Sequence, residues 1–281
     1  MKKSLRVFLG ILIMTGAVML WNVVNHRVFQ EKRAFAAGVC VSDKTAVRAA
    51  DIAAFRTAGE GELDTGDIRM QIVYQLAKRS VVKVAVKDAA GSGIIWKLED
   101  GIVIVSNRHL LMRDVQAQIG FGSGETAMAD VIGYSQQYDI GFARVAQEAV
   151  PAGVLRDIYE VVPVFYEMET EADREEFTQL YAGKRVLQLG APSGQDMVSL
   201  STGIVQGLRF VPLFNTNVLE TEAFSRAGMS GGGVFDEGGH FMGMISGGEV
   251  PEDAQKREAD ITYSIPSKLI EAEYETAVNE R

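Results

Sequence analysis

Cysteine is almost absent: Cys40 stands alone among 281 residues, so no disulfide framework can form within the chain and no thiolate-rich zinc site can be built. A chain without disulfides does not report a redox compartment. Histidine is nearly as scarce. His26, His109 and His240 are the only three, which leaves little for any other metal cluster, and no metal or organic cofactor is expected. Positive charge is scarce beyond the N-terminus. Residues 1–33 carry Lys2, Lys3, Arg6, Arg27, Lys32 and Arg33 against Glu31, a net +5, whereas the other 248 residues carry −14. A body that acidic repels phosphate backbones, so nucleic acid is not an expected partner. Internal repeats and long low-complexity tracts are also missing. What is present, 47% hydrophobic and 23% charged residues, fits a globular chain long enough to bury a core.

The longest apolar run lies at the N-terminus. Residues 1–6 form a short basic leader, and Val7 to Val24 follow without a charge. As a helix these 18 residues would rise about 27 Å, close to a bilayer's hydrocarbon core. Trp21 suits an interfacial anchor. A cleaved signal peptide would use Ala34-Phe35-Ala36, but that site lies about a dozen residues beyond the run, across Glu31, Lys32 and Arg33. Val39 also sits where a lipidated Cys40 would want a small residue. The expectation is a retained single-pass signal-anchor at residues 7–24, with the N-terminus cytoplasmic and the body extracytoplasmic at the cell membrane. Residues 25–66, rich in small residues, read as a stalk, 67–270 as the folded domain and 271–281 as a tail.

Within the body, Met70, Ile72, Val73, Leu76 and Ala77 recur at helical spacing and predict an amphipathic helix over Arg69–Arg79. The period then changes. A dozen short Val- and Ile-rich runs, from Ser80–Val86 to Ile261–Ile265, are separated by Gly, Asp or Asn. They predict an all-β sandwich or barrel. Residues 168–182 interrupt them with an acidic, helix-favouring stretch that reads as a surface insertion between two halves.

Chemistry concentrates at Gly228-Met229-Ser230-Gly231-Gly232. Glycines on both sides allow a sharp turn whose amides converge beside a serine hydroxyl. The same pattern fits the nucleophile elbow of α/β-hydrolases, which requires an acid and then a histidine after the serine. Only His240 follows, in what reads as a hairpin turn, and the helices of a parallel sheet are missing. The elbow is therefore rejected. A serine needs a base, and with His26 beside the anchor and His240 in a turn, His109 remains, just after the Ile102–Val105 run. Asp139 opens another apolar run. His109, Asp139 and Ser230 thus stand at strand boundaries in the order His, Asp, Ser found in chymotrypsin-like enzymes.

These residues lie in segments that resemble the trypsin-like peptidase domain of the HtrA (DegP-like) family over about residues 70–268. Gly91-Ser-Gly-Ile-Ile95 resembles the strand leading to the family's histidine, and Val105-Ser-Asn-Arg-His109-Leu-Leu resembles its T-N-x-H-V-V segment. Asp139-Ile-Gly-Phe-Ala resembles D-I-A-v-L, and Leu189-Gly-Ala-Pro-Ser-Gly194 resembles the i-G-n-P-f-G turn. Ser201-Thr-Gly-Ile-Val205 resembles its following strand. Thr221-Glu-Ala223 with Gly228-Met-Ser-Gly-Gly232 resembles T-D-A…G-N-S-G-G, and Tyr263-Ser-Ile-Pro-Ser267 resembles the closing strand. Gly233 replaces the family's usual proline, and Phe224–Ala227 departs from its usual lead-in to the nucleophile. The acidic insertion stretches Asp139 to Ser230 over 91 residues, and no PDZ domain is expected after the peptidase domain.

The resemblance implies two antiparallel six-stranded β-barrels behind a single N-terminal transmembrane helix. It also implies a serine endopeptidase acting on extracytoplasmic polypeptides, with Ser230 as nucleophile, His109 as base and Asp139 as its orienting acid. The backbone N–H groups of Gly228 and Ser230 would form the oxyanion hole. Phe224, Ile245, Ser246 and Gly247 would line the specificity pocket, which lacks an acid and so suits a small or medium apolar side chain. Related domains form trimers, so a homo-oligomer is expected. Two alternatives from other classes are a catalytically silent trypsin-like domain that binds extended peptides as a sensor or scaffold, and a purely structural envelope protein.

Overall fold

A computed structural model describes residues 68–192, 198–249 and 258–279. The leader, anchor and stalk expected before residue 67, and part of the Pro192–Gly194 turn, lie outside the described residues. Among the described residues no helix is long and apolar enough to cross a membrane.

The dozen apolar runs all become strands: β1 (Val81–Val86), β2 (Ala89–Lys97), β3 (Gly101–Ser106), β4 (Gln116–Gly120), β5 (Thr126–Tyr134), β6 (Gly141–Ala146), β7 (Arg185–Gly190), β8 (Ser199–Val211), β9 (Thr216–Arg226), β10 (Gly233–Asp236), β11 (Phe241–Glu249) and β12 (Glu258–Pro266). β1–β6 close into one antiparallel barrel in the order 1-2-3-6-5-4, and β7–β12 close into a second in the matching order. Closure pairs every strand on both sides, which removes exposed edges. Strand alternation fills each barrel. In β4, Ala117 and Ile119 point inward while Gln116 and Gln118 face solvent.

Three cores result. One, including Val84, Ile95, Ile104 and Ile119, fills the first barrel, and another, including Val205, Leu219 and Met242, fills the second. The largest lies between the barrels and joins Ile94, Trp96 and Phe142 of the first to Leu187, Phe235 and Phe241 of the second. Trp96 meets Phe241 edge-on at 5.8 Å. Aromatic pairs of this kind add about 1 kcal/mol beyond their buried area. This shared core fixes the two barrels relative to each other, and so fixes any site assembled from both.

Four α-helices lie among the described residues. α1 (Ile68–Ala77) differs from its predicted amphipathic character: Met70, Gln71, Val73, Tyr74, Gln75, Leu76 and Ala77 are all buried, so the helix is covered almost all round. α2 (Arg108–Leu111) is a single turn after β3. α3 (Glu171–Tyr181) is the acidic insertion, closed by a capping box in which Thr170 and Asp173 exchange hydrogen bonds of 2.8 and 3.1 Å. The rest of α3 is solvated, but Phe177 is buried and stacks on Tyr181 at 4.7 Å. α4 (Ser267–Asn279) runs across residue 270 into the segment read as a tail, and Ile270 and Tyr274, four residues apart, turn one face into the shared core. Lys97 Nζ bonds Glu271 at 3.0 Å across the same contact.

Candidate active site

The site grows from the end of β3. Asn107 occupies the N-cap position of α2 with extended backbone, but its side chain does not cap the helix. It reaches across to donate from Nδ2 to Ser246 Oγ (3.0 Å) and to the Asp139 carbonyl (3.3 Å). Buried Leu110 and Leu111 hold the short helix against the barrel. These anchors leave His109, on the same turn, 53% exposed.

Asp139 comes from the loop between β5 and β6. Ser135 Oγ accepts the N–H groups of Gln137 (3.1 Å) and Tyr138 (2.9 Å) and shapes that loop. Arg108 donates to the Gln136 carbonyl at 2.9 Å and ties the loop to α2. The Asp139 carboxylate then takes three donors. Oδ1 accepts the His109 backbone N–H (2.9 Å), while Oδ2 accepts His109 Nδ1 (2.8 Å) and Ser246 Oγ (2.8 Å). A carboxylate only accepts, so Nδ1 carries a proton, and in the neutral ring Nε2 keeps its lone pair.

Ser230 sits between β9 and β10 of the second barrel, with His109 lining the same cleft of about 360 Å³. Among the described residues no hydrogen bond joins the two side chains; such contacts often tighten only when substrate arrives. Gly228 (φ 90°) and Gly231 (φ 85°) both take the left-handed conformation that favours glycine. A Cβ on Gly231 would lie 2.0 Å from the Ser92 carbonyl oxygen. Met229 N–H donates to the Arg226 carbonyl (3.1 Å) and Gly231 N–H to the Ile245 carbonyl (2.8 Å). Among the described residues the Gly228 and Ser230 N–H groups have no protein acceptor.

The expected pocket set is only partly brought together. Ile245 and Gly247 line the cleft, joined by Ala90, Leu110, Ser225 and Gly248. Ser246 does not line it. A register shift between Ile245 and Gly247 bulges β11 there and aims the Ser246 hydroxyl at Asp139 instead. Phe224 does not line it either. Alternation along β9 buries Ala223 and Ser225, leaves Phe224 36% exposed, and puts Ser225 at the cleft. Ser92, Ser106 and Asn107 were missed; the available signal was a polar residue inside or at the end of an apolar strand run, where burial demands partners.

His240 is engaged elsewhere. Asp236 Oδ1 accepts the Gly238 and His240 backbone N–H groups, both at 2.8 Å, and Oδ2 meets His240 Nδ1 at 2.9 Å. The hydrogen bond to Asp236 raises the His240 pKa above its ordinary value, outweighing the opposing effect of burial. A raised folded pKa gives stability that is complete below the unfolded value of about 6.5 and disappears as pH climbs through the folded one. Urea midpoints should therefore fall between about pH 6 and pH 8, and His240→Gln should flatten that slope. An unchanged slope would show that the pair does not contribute.

The comparisons agree with the two-barrel fold. The family described as Trypsin-like peptidase domain matches residues 91–244. Protease Do-like 1, chloroplastic, of Arabidopsis thaliana is 28% identical over 189 residues, 64% of this chain and 37% of that protein. Serine protease Do-like HtrA of Lactococcus lactis subsp. lactis is 24% identical over 188 residues, 63% of this chain and 42% of that protein. The chain thus matches about two-fifths of the length of these curated relatives. Among solved structures, an HtrA-type protease AlgW with tripeptide shares the fold at a TM-score of 0.57 and 17% identity, covering 71% of this chain and 60% of that one. A serine endoprotease from Yersinia pestis shares it at 0.56 and 20%, covering 74% and 66%. Since the match spans more than half of its sequence, this protein belongs to the trypsin-like peptidase domain family, with Do-like (HtrA) serine proteases among its relatives.

Proposed function

We propose that this protein is a serine endopeptidase that cleaves extracytoplasmic polypeptides by acyl transfer to Ser230, tethered to the membrane through residues 7–24. The observation that carries the catalytic part is the three-donor grip on Asp139, which fixes His109 with a basic Nε2 in the cleft that Ser230 shares. The tether is supported by the charge-free run behind its basic leader.

In this mechanism Ser230 Oγ attacks the scissile carbonyl carbon while His109 Nε2 takes its proton. The carbonyl π electrons move to oxygen, and the N–H groups of Gly228 and Ser230 meet the oxyanion, each contributing about 3 kcal/mol. Collapse breaks the C–N bond, and His109 returns the proton to the departing amine. Water then attacks the ester, giving its proton to His109. The second collapse releases the carboxylic acid, which ionises in water, while His109 returns its proton to the Ser230 oxygen. Asp139 stays ionised and stabilises the imidazolium. No acidic side chain is among the described cleft residues, so a substrate Lys or Arg would lose hydration without a counter-charge. Small or medium apolar side chains fit better.

A fluorophosphonate probe tests the proposal. Labelling is expected in the wild-type protein and absent in Ser230→Ala. Well-folded wild-type protein that stays unlabelled while binding extended peptides would overturn it in favour of a silent binder.

A further inference from the structure

Ser92 lies in the middle of β2, fully buried, in a strand whose neighbours Ile94 and Ile95 serve the apolar cores. A buried hydroxyl in such a place must be bonded or it destabilises the fold. Each polar group of Ser92 is engaged. Its N–H donates to the Ser230 carbonyl at 2.9 Å. Its Oγ donates to the Gly228 carbonyl at 2.6 Å and accepts the Ala191 N–H at 2.8 Å. Its carbonyl accepts Ser106 Oγ at 2.7 Å, and the bare Cα of Gly231 is what allows that carbonyl its place. β2 belongs to the barrel that carries His109 and Asp139, whereas Ala191, Gly228 and Ser230 belong to the other. One residue therefore holds the nucleophile turn from the opposite barrel.

The consequence falls on the two idle amides. The Gly228 carbonyl and the Met229 N–H share one peptide plane. Ser92 holds the first, and the Arg226 carbonyl holds the second. The Ser230 carbonyl is held by the Ser92 backbone. With these groups fixed, the N–H groups of Gly228 and Ser230 are left without protein acceptors. Among the described residues nothing other than Ser92 Oγ holds the Gly228 carbonyl, so without it the peptide plane is held only at the Met229 N–H and a glycine backbone lets it tilt.

We infer that Ser92 is a positioning residue whose hydroxyl sets the Gly228 peptide and thereby keeps the oxyanion-binding amides aimed into the cleft. The inference rests on the reading of Ser230 as nucleophile. It assigns the two barrels a chemical coupling in addition to their shared core. Loss of the hydroxyl weakens transition-state binding and leaves ground-state binding almost intact.

The first control is fluorophosphonate labelling of the wild type and its loss in Ser230→Ala; failure there overturns the nucleophile, and the Ser92 question does not arise. With that secured, Ser92→Ala is expected to lower kcat about 10- to 100-fold, part of the 100- to 1,000-fold that follows loss of an oxyanion donor. KM should stay within about twofold, because uniform binding is untouched. Affinity for a peptide aldehyde, which forms a tetrahedral adduct, should fall in step with kcat/KM. The pH profile should not move. A purely structural serine would instead lower thermal stability and leave kcat and aldehyde affinity of the folded protein unchanged, which overturns the proposal. If Ser92→Ala does not fold, Ser92→Cys decides, since it keeps the shape and only a weak donor. Reduced kcat at unchanged KM supports the assignment, and wild-type kcat overturns it.

Discussion

Ser230→Ala is expected to lower kcat about a million-fold, His109→Ala by about as much, and the double variant by no more than either. The reason is the division of labour across the cleft. In the proposed mechanism the Ser230 hydroxyl is a weak nucleophile on its own, and His109 Nε2, in a ring held by the Nδ1 contact to Asp139, serves as its base. Each is useful only through the other, so their losses do not add. A residual rate of about a thousand-fold over water should survive in all three variants, supplied by substrate binding and the Gly228 and Ser230 amides. Hydrolysis of a fluorogenic peptide, with contaminating peptidase excluded by active-site titration, measures the cycle. Additive losses would show that His109 and Ser230 act in separate steps, and the proposed mechanism would not stand.

The sequence reveals features set by short-range rules and conceals those set by long-range contacts. All twelve strands are legible because each apolar run is bounded by turn residues. The three residues of the proposed mechanism can be named from the sequence because only one histidine is placed to serve Ser230, and chain order excludes the other fold. Phe224 was expected in the pocket from resemblance alone, whereas strand parity between buried Ala223 and Ser225 points it the other way. Within Ser267–Asn279, Ile270 and Tyr274, four residues apart among Glu271, Glu273 and Glu275, mark an inward helical face. Ser92 and Ser246 are a different matter. Their hydroxyls meet partners 136 and 107 residues away, and no local pattern announces such a contact. The bulge that turns Ser246 toward Asp139 exists only once β11 is paired with β12.

Asp139→Asn provides the second large effect, expected at about 10,000-fold in kcat, and it separates geometry from chemistry. The substitution is nearly isosteric, so the loop held by Ser135 and Arg108 should keep its shape. What changes is the donor count. The carboxylate accepts the His109 N–H, His109 Nδ1 and the Ser246 hydroxyl, whereas an amide has one accepting oxygen and an NH2 that must donate. If the oxygen keeps the His109 backbone N–H, the NH2 faces Nδ1, and the ring satisfies it by moving its own proton to Nε2. Nε2 then cannot accept the Ser230 proton, and imidazolium formation loses its counter-charge. Ser246→Ala removes one donor but leaves an acceptor-only carboxylate, so its cost should be near 10-fold, or about 1.4 kcal/mol. Nitrogen chemical shifts of the His109 ring report the tautomer directly, independent of turnover. An Asp139→Asn variant whose His109 ring still carries its proton on Nδ1, or whose kcat stays within tenfold of wild type, would show that Asp139 acts only through charge or not at all.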